Sequence, residues 1–213
     1  MIEYFIGAGT IGAAVLVSRL LQLEQTRPTL EIHHRPFPLE WRKILEKKWP
    51  IYGRLPENLR DQLEQLTLVF LERIEIRGVD GLEITDEIRV LTASQACLLL
   101  INQQTFFPAK LKSVVIRPSA YTAKTYDTVG GVQSEREIHV LGQSWESGLV
   151  VLSWDNTRTG AANAKDGRNL VLHEFAHQLD QADGQADGAP ILGSPEQYKR
   201  WQSVCSRVFA DLQ

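Results

Sequence analysis

Cysteine is scarce in this chain of 213 residues. The two cysteines, Cys97 and Cys205, are far apart, and neither belongs to a CxxC pair. This pattern argues against a disulfide scaffold and fits a reducing compartment. Cys97 lies in the apolar run ASQACLLLIN, so we expect a small buried side chain there.

A surplus of positive charge is also absent. Lysine and arginine total 23 against 26 acidic residues, which gives a formal net charge of −3. This balance gives no electrostatic reason to expect nucleic acid as a partner. The composition, 43% hydrophobic and 23% charged, is typical of one globular domain with a substantial core.

The longest apolar run lies at the N-terminus. Residues 4–23, YFIGAGTIGAAVLVSRLLQL, approach the roughly 20 residues that a membrane-spanning helix needs. No basic region precedes this run and no small-residue cleavage site follows it, which argues against a signal peptide. Because Arg19, Arg27 and Arg35 lie at its far end or beyond it, we expect a cytoplasmic body anchored to the inner face of the membrane. The alternative is a buried or amphipathic N-terminal helix.

Helical periodicity dominates the first half of the folded domain, residues 31–213, which follows the apolar segment and its linker (residues 1–30). Apolar spacing predicts helices over 38–49 and 56–76, separated by a proline break. Thr85 is expected to cap a third helix, since its hydroxyl can accept a free backbone N–H in the first turn.

Strand-like runs come next along the chain. They are KSVVIRP (112–118), REIHVLGQ (136–143) and GLVVLSWD (148–155). Glycine-containing turns between them, such as TVGGVQS, predict hairpins or a meander, and NTRTGAANAKDG (156–167) is interpreted as a polar loop. Together these elements predict an α+β fold with N-terminal helices and a small mixed or antiparallel sheet.

The stretch GRNLVLHEFAHQLDQADG, residues 167–184, carries the strongest chemical signal. We expect a helix over 168–181 that ends at the Asp183-Gly184 turn. Four apolar residues are expected to point to the core: Leu172, Phe175, Ala176 and Leu179.

Within this helix, His173 and His177 are one turn apart, so both imidazoles can bind one tetrahedral zinc ion. Glu174 lies beside the first histidine, where its carboxylate can reach a zinc-bound water. Zinc lowers the pKa of that water toward about 7, so Glu174 can take its proton during attack on a peptide carbonyl and pass it to the leaving amine. The alternative is a solvated helix face with ordinary histidine and glutamate side chains.

Two neighbouring features each allow two interpretations. Asp180 could accept a hydrogen bond from a ligand imidazole, or it could be a helix-end carboxylate without that contact. GLVVLSWD could be a sheet-edge strand that pairs with an extended peptide, or an ordinary core strand.

A catalytic zinc site needs a third protein ligand. Asp183 is the nearest candidate, followed by Asp187 and Glu196. Asp183 occupies the position of the third histidine in the long metzincin motif, but that motif needs a glycine where this chain has Asp180. Glu196 lies near the start of a stretch, residues 195–213, that is predicted to be one helix.

Three motifs in order carry a family resemblance. GLEITDEIRVLTASQACLLL, GLVVLSWD and NLVLHEFAHQLDQADGQADGAP resemble the Mlc titration factor A family of zinc metallopeptidases, from about Phe37 to the last residue. The resemblance implies a zincin-like peptidase domain of the gluzincin type, distantly similar to the catalytic domain of anthrax lethal factor. It also implies aminopeptidase-type activity, and the best-known member binds the glucose repressor Mlc.

Carried over by position, the resemblance makes His173 and His177 zinc ligands and Glu174 the catalytic glutamate. The third ligand of the family is a glutamate on a helix well downstream of HExxH, and Gln213 comes before that segment. We therefore expect a metallopeptidase domain that lacks its C-terminal part, and no third ligand is carried over.

Two functions compete on this reasoning. The first is a zinc-dependent peptidase of aminopeptidase type that acts on a peptide substrate. The second is a regulator-binding protein that sequesters a transcriptional repressor and has an incomplete or vestigial zinc site. Glu174 favours the peptidase, because a structural zinc site has no use for a general base.

Overall fold

The part of the chain that the structure, a computed structural model, describes comprises residues 29–30, 35–129, 132–140, 142–144, 148–184 and 188–211. The anchor expected over residues 4–23 lies outside these residues and stays a prediction. Among the helices that are described, none is both long and apolar enough to cross a membrane.

Helices form the N-terminal half of the described fold. They are α1 (Leu39–Lys48), α2 (Pro50–Arg54), α3 (Glu57–Arg73) and α4 (Asp86–Cys97). Pro50 separates the first two as predicted, but it begins a short helix, since a residue without a backbone N–H fits the first turn. Thr85 caps α4 as predicted, with its hydroxyl accepting the Ile88 N–H at 3.3 Å.

The helix predicted over 56–76 is wrong at its C-terminal end. The helical backbone stops at Arg73, and Glu75–Gly78 forms a strand that pairs in parallel with Ser113–Arg117. β-branched Ile76 favours extended backbone, and the distant partner strand supplies hydrogen bonds that no local pattern reveals.

The described strands fall into two sheets. In chain order they are β1 (Glu75–Gly78), β2 (Ser113–Arg117), β3 (Tyr121–Val129), β4 (Val132–Val140), β5 (Gly142–Ser144) and β6 (Leu149–Ser153). Four of them form a mixed sheet in the order β1-β2-β6-β5, with β1, β2 and β6 parallel and β5 antiparallel to β6. The small mixed sheet and the α+β class are therefore confirmed, whereas a simple meander is wrong.

The GLVVLSWD strand lies inside this sheet. β6 pairs with β2 along one side and with β5 along the other. The edge-strand interpretation is therefore wrong, and the core-strand alternative is confirmed. The edge next to the HExxH helix is instead the three-residue strand β5.

β3 and β4 form a separate antiparallel hairpin. Their register runs from Tyr121 opposite Val140 to Val129 opposite Val132, which confirms the turn predicted in TVGGVQS. The sequence analysis missed β3, because the run YTAKTYDTV has few apolar residues to mark a strand.

The prediction of a polar loop over 156–167 is wrong for its first part. Helix α5 (Trp154–Ala162) covers residues 156–162, with Thr157, Gly160 and Ala161 buried, and residues 163–167 are not helical. These three positions have helical spacing, but small and polar side chains hide the pattern from a search for large apolar residues. Two helices complete the described fold: α6 (Leu170–Asp180), which carries HExxH, and α7 (Pro195–Asp211).

The core lies between the helices and one face of the mixed sheet. The sheet contributes alternating buried residues: Val114, Ile116, Val150 and Leu152. Phe175 of α6 packs against Phe70 of α3 and against Phe107, with ring centroids 5.6 Å and 5.1 Å apart. Cys97 is fully buried, as predicted. The ring contacts fix the HExxH helix to α3 and to the segment before β2.

Candidate metal centre

The helix that carries the motif begins at a well-defined cap. Asn169 precedes α6, and its side-chain oxygen accepts the Leu172 N–H at 2.9 Å. Its side-chain nitrogen donates to the buried Gln95 of α4 at 2.8 Å and to the Gly160 carbonyl of α5 at 3.2 Å. The first turn of α6 is therefore tied to two other helices.

The end of α6 agrees with the sequence analysis to within a residue or so. The α-helix ends at Asp180, a 3-10 turn covers Gln181–Asp183, and Gly184 follows with φ of +86°. The positive φ at this position favours glycine over residues with a side chain.

The buried face of α6 differs from the predicted one. Phe175 is buried as predicted, but Ala176 is exposed and Leu172 and Leu179 are only half-buried. The buried residues are Val171, Glu174, Phe175 and Gln178, which follow i, i+3, i+4 and i+7 spacing. Because two of these are polar, hydrophobicity alone places the buried face incorrectly.

The two histidines lie together on the open side of the helix. The Nε2 atoms of His173 and His177 are 3.2 Å apart, and their rings stand edge to face with centroids 4.6 Å apart. Two imidazole nitrogens on a tetrahedral zinc ion, each at 2.0–2.1 Å, would be separated by about 3.3–3.4 Å. The pair therefore fits two adjacent corners of a zinc coordination sphere.

Glu174 lies on the other side of the same turn, against strand β5. It is only 6% exposed, and burial raises the pKa of its carboxyl, while the adjacent His173 acts in the opposite direction. The contact with β5 is close: a Cβ added to Gly142 would come 3.0 Å from Glu174 Oε1 and 2.8 Å from Leu170 Cδ1. A glycine at position 142 thus leaves room for the carboxylate beside the sheet edge.

Strand β5 also contacts the next turn of α6. Gln178 Nε2 donates to Ser144 Oγ at 2.6 Å. The sequence analysis missed Gln95, Gly142, Asn169, Ser144 and Gln178. Of these, Asn169 alone had a signal in the sequence, since asparagine directly before a helical run is a preferred N-cap.

The hydrogen bond described for the Asp180 carboxylate is with a backbone N–H group. Its Oδ1 accepts the Gly188 N–H at 2.8 Å, which corresponds to the helix-end interpretation. A hydrogen bond to a ligand imidazole stays a prediction.

A third metal ligand is not found in the part of the chain described. There, no group of three or more His, Cys, Asp or Glu side chains is arranged to hold a metal ion. Glu196, in the exposed first turn of α7, therefore does not complete the site in this structure. The Asp183 side chain and all of Asp187 lie outside the described part, so both stay candidates.

Comparison with known proteins gives an independent line of information. Residues 22–213 match the family described as glucose-regulated metallo-peptidase M90. The chain is 33% identical to the uncharacterized protein slr2042 of Synechocystis sp. over 184 residues, 85% of this chain and 67% of that protein.

Proteins named Mlc titration factor A are also similar. The one from Klebsiella pneumoniae is 30% identical over 146 residues, 67% of this chain and 54% of that protein. The one from Escherichia coli is 27% identical over 157 residues, 72% of this chain and 57% of that protein. The chain thus spans about half the length of these titration factors.

Proposed function

Because this chain belongs to the glucose-regulated metallo-peptidase M90 family, we propose that it is a zinc-dependent peptidase with Glu174 as general base. The observation that carries the proposal is the 3.2 Å separation of the His173 and His177 Nε2 atoms, with a buried glutamate between them in sequence. Without a metal the two rings share a hydrogen bond at this distance, and the same distance brings both nitrogens close to the spacing that a zinc ion requires.

His173 and His177 would hold the metal through Nε2. For both lone pairs to face the metal, each ring must carry its proton on Nδ1, so the hydrogen bond between the two rings is lost on binding. A bound zinc ion would supply Lewis acidity and make a nearby water more acidic.

Glu174 moves the proton in this proposal. Its carboxylate accepts a proton from the attacking water and then donates it to the leaving amine, so it ends the cycle unprotonated. Burial against β5 suits this role, because a desolvated carboxylate binds a proton more readily than an exposed one. Gly142 leaves room for this carboxylate beside the strand.

We extend the proposal to a zincin-like domain with aminopeptidase-type activity on peptides, as the motif resemblance implies. Mass spectrometry of the products tests this point. Release of single residues from the N-terminus supports it, whereas cleavage at internal bonds would require an endopeptidase instead.

The first experiment compares zinc content and peptide cleavage in the parent chain, Glu174→Gln and His177→Ala. We expect Glu174→Gln to keep zinc and lose cleavage, because the amide cannot accept the proton. His177→Ala should lose both, because one of the two proposed ligands is gone. Glu40→Gln, at an exposed position of α1, is the matched control and should change neither. Cleavage that survives Glu174→Gln removes that residue from the mechanism.

The third ligand needs a separate measurement of zinc per chain in Asp183→Ala. Loss of zinc from this variant, with one zinc in the parent, identifies Asp183. One zinc in both points to a different third ligand or to water. Little zinc in the parent means that this chain lacks part of the site.

A second candidate function is sequestration of a transcriptional repressor. It is supported by the relatives named Mlc titration factor A and by the absence of a third ligand among the described residues. Titration of the chain with the glucose repressor Mlc tests it. Binding that persists unchanged in His177→Ala, together with no cleavage by the parent, favours this function over the peptidase.

A further inference from the structure

A cavity of about 480 Å³ opens beside the histidine pair, on the face of α6 opposite Glu174. His177, Ala176 and Asp180 of α6 form one wall, and Trp201 of α7 forms another. Its volume lies in the range of pockets that bind small ligands, about 300–1,000 Å³. Because His177 belongs to both the cavity and the candidate metal centre, a molecule bound at the metal centre can extend a side chain into the cavity.

Apolar side chains dominate the lining. Leu99, Leu179, Pro190, Ile191 and Leu192 line the cavity in addition to the residues named above, and Gly188 and the polar Gln103 complete the lining. The carboxylate in the wall, Asp180, already accepts a hydrogen bond from the Gly188 backbone. The cavity therefore offers a large apolar surface and few polar groups, which favours an apolar occupant.

The wall made by residues 188–193 is held in place by α7. Trp201 Nε1 donates to the Gly188 carbonyl at 3.3 Å, and the Leu192 N–H donates to the Tyr198 hydroxyl at 3.1 Å. The Gly193 N–H donates to Gln197 Oε1 at 2.7 Å. Three side chains from the first two turns of one helix thus fix the loop, so the cavity is a built feature of the fold.

We propose that this cavity, the Trp201 pocket, binds a bulky apolar side chain of a peptide whose cleaved bond lies at the histidine pair. The inference rests on the proposed peptidase function and adds its substrate class: peptides with a leucine-like or phenylalanine-like residue next to the cleaved bond. Acidic side chains are excluded, because they would lose their hydration beside the Asp180 carboxylate, and no lysine or arginine is among the described residues that line the cavity.

Leu192→Arg tests the pocket with a gain of function that misfolding cannot produce. The backbone N–H of residue 192, which binds Tyr198, is unaffected, and the new guanidinium extends into the cavity. Leu39→Arg is the matched control, because the same change is made at a leucine of α1 that is 59% exposed.

Binding is measured by fluorescence anisotropy with a pair of labelled peptides that differ only in one residue, leucine or glutamate. All variants carry Glu174→Gln and are incubated with zinc, so the peptides are not consumed. We expect the leucine peptide to bind about tenfold or more tightly than the glutamate peptide. Leu192→Arg should reverse this preference, and Leu39→Arg should leave it unchanged.

The outcomes separate the pocket from the peptidase. Three results would overturn the proposed role of the pocket. They are equal binding of the two peptides, no binding of either peptide, and a leucine preference that Leu192→Arg leaves unchanged. A leucine preference reversed by Leu192→Arg, in a chain with intact Glu174 that cleaves neither peptide, supports the pocket and overturns the peptidase function alone.

Discussion

At the scale of single residues, the candidate centre depends on side chains that never touch a metal. Asn169 serves two roles at once, since its oxygen caps α6 and its nitrogen ties the helix to Gln95 and Gly160. Gln95 is fully buried, and its own nitrogen donates to the Leu91 and Thr157 carbonyls. Removing Asn169 therefore leaves a buried acceptor without its partner.

Asn169→Ala is expected to lower the free energy of unfolding by about 1–3 kcal/mol, through loss of the cap and of the hydrogen bond to Gln95. It should also weaken zinc binding, because the first turn that carries His173 loses its anchor. Asn169→Asp keeps the capping oxygen and should recover part of the stability. Urea denaturation and zinc titration measure the two effects.

Thr85→Ala is the control for this prediction. It removes the cap of α4, at the end of that helix remote from Gln95, so it should cost stability without changing zinc affinity. Equal loss of zinc affinity in Thr85→Ala and Asn169→Ala would mean that the effect is general destabilisation.

Gly142→Ala probes the close contact between β5 and Glu174. The added methyl would lie within 3.0 Å of the Val151 carbonyl oxygen and of Glu174 Oε1, so the strand or the carboxylate must move. We expect a loss of about 1–3 kcal/mol in stability and a lower kcat in the proposed peptidase reaction. Gly53→Ala, at a helical site with open space around it, should be neutral or slightly stabilising. A fully active and stable Gly142→Ala would show that β5 adjusts freely.

At the scale of elements, α6 and α7 are both amphipathic, but they differ in whether their apolar face is buried. The apolar face of α6 packs into the core through Phe175, whereas none of the described residues of α7 is buried. Val208 is 48% exposed and Phe209 is 64% exposed, so their side chains gain little from packing within this chain. Among the described contacts of α7, side chains from its first two turns hydrogen-bond to the loop of residues 188–193.

Phe175→Ala and Phe209→Ala therefore form a matched pair. The first removes a fully buried ring and should lower the free energy of unfolding by about 3–5 kcal/mol. The second should change it by no more than about 0.5 kcal/mol, because the ring is exposed. Chemical denaturation of both variants gives the comparison. A large loss in Phe209→Ala would show that another surface covers this helix face in solution.

At the scale of the whole molecule, the HExxH helix has a closed side, which packs against the rest of the domain, and an open side, which faces solvent. The closed side contacts the sheet and the N-terminal helices, where Cys97 lies fully buried next to Thr67. The open side presents both histidines and the Trp201 pocket. Access to Cys97 therefore requires that the core itself opens.

Thiol reactivity should report this opening. Cys205 is exposed and should react rapidly with Ellman's reagent, whereas burial raises the pKa of the Cys97 thiol and also blocks the reagent. We expect one rapidly reacting thiol per native chain and two after denaturation. Cys205→Ser should abolish the rapid reaction. Two rapid thiols in the native chain would contradict the packing of α4 in the core.

The sequence by itself determined the features that arise within one or two helical turns. The four-residue spacing of His173 and His177 places both rings on one side of any α-helix, and Thr85 caps the helix that follows it whatever lies elsewhere. The burial of Cys97 also follows from the apolar run in which it lies. These features need no information about distant parts of the chain.

Only the tertiary structure decided which surfaces meet. β1 and the interior position of β6 depend on partner strands distant in sequence, and helix α5 depends on a core that accepts its small residues. The buried face of α6 includes Glu174 and Gln178 because strand β5 lies against them, and Asn169 gains its second role from Gln95, 74 positions away. Long-range pairing supplies the hydrogen bonds and the burial that override local preference, so no local pattern could reveal them.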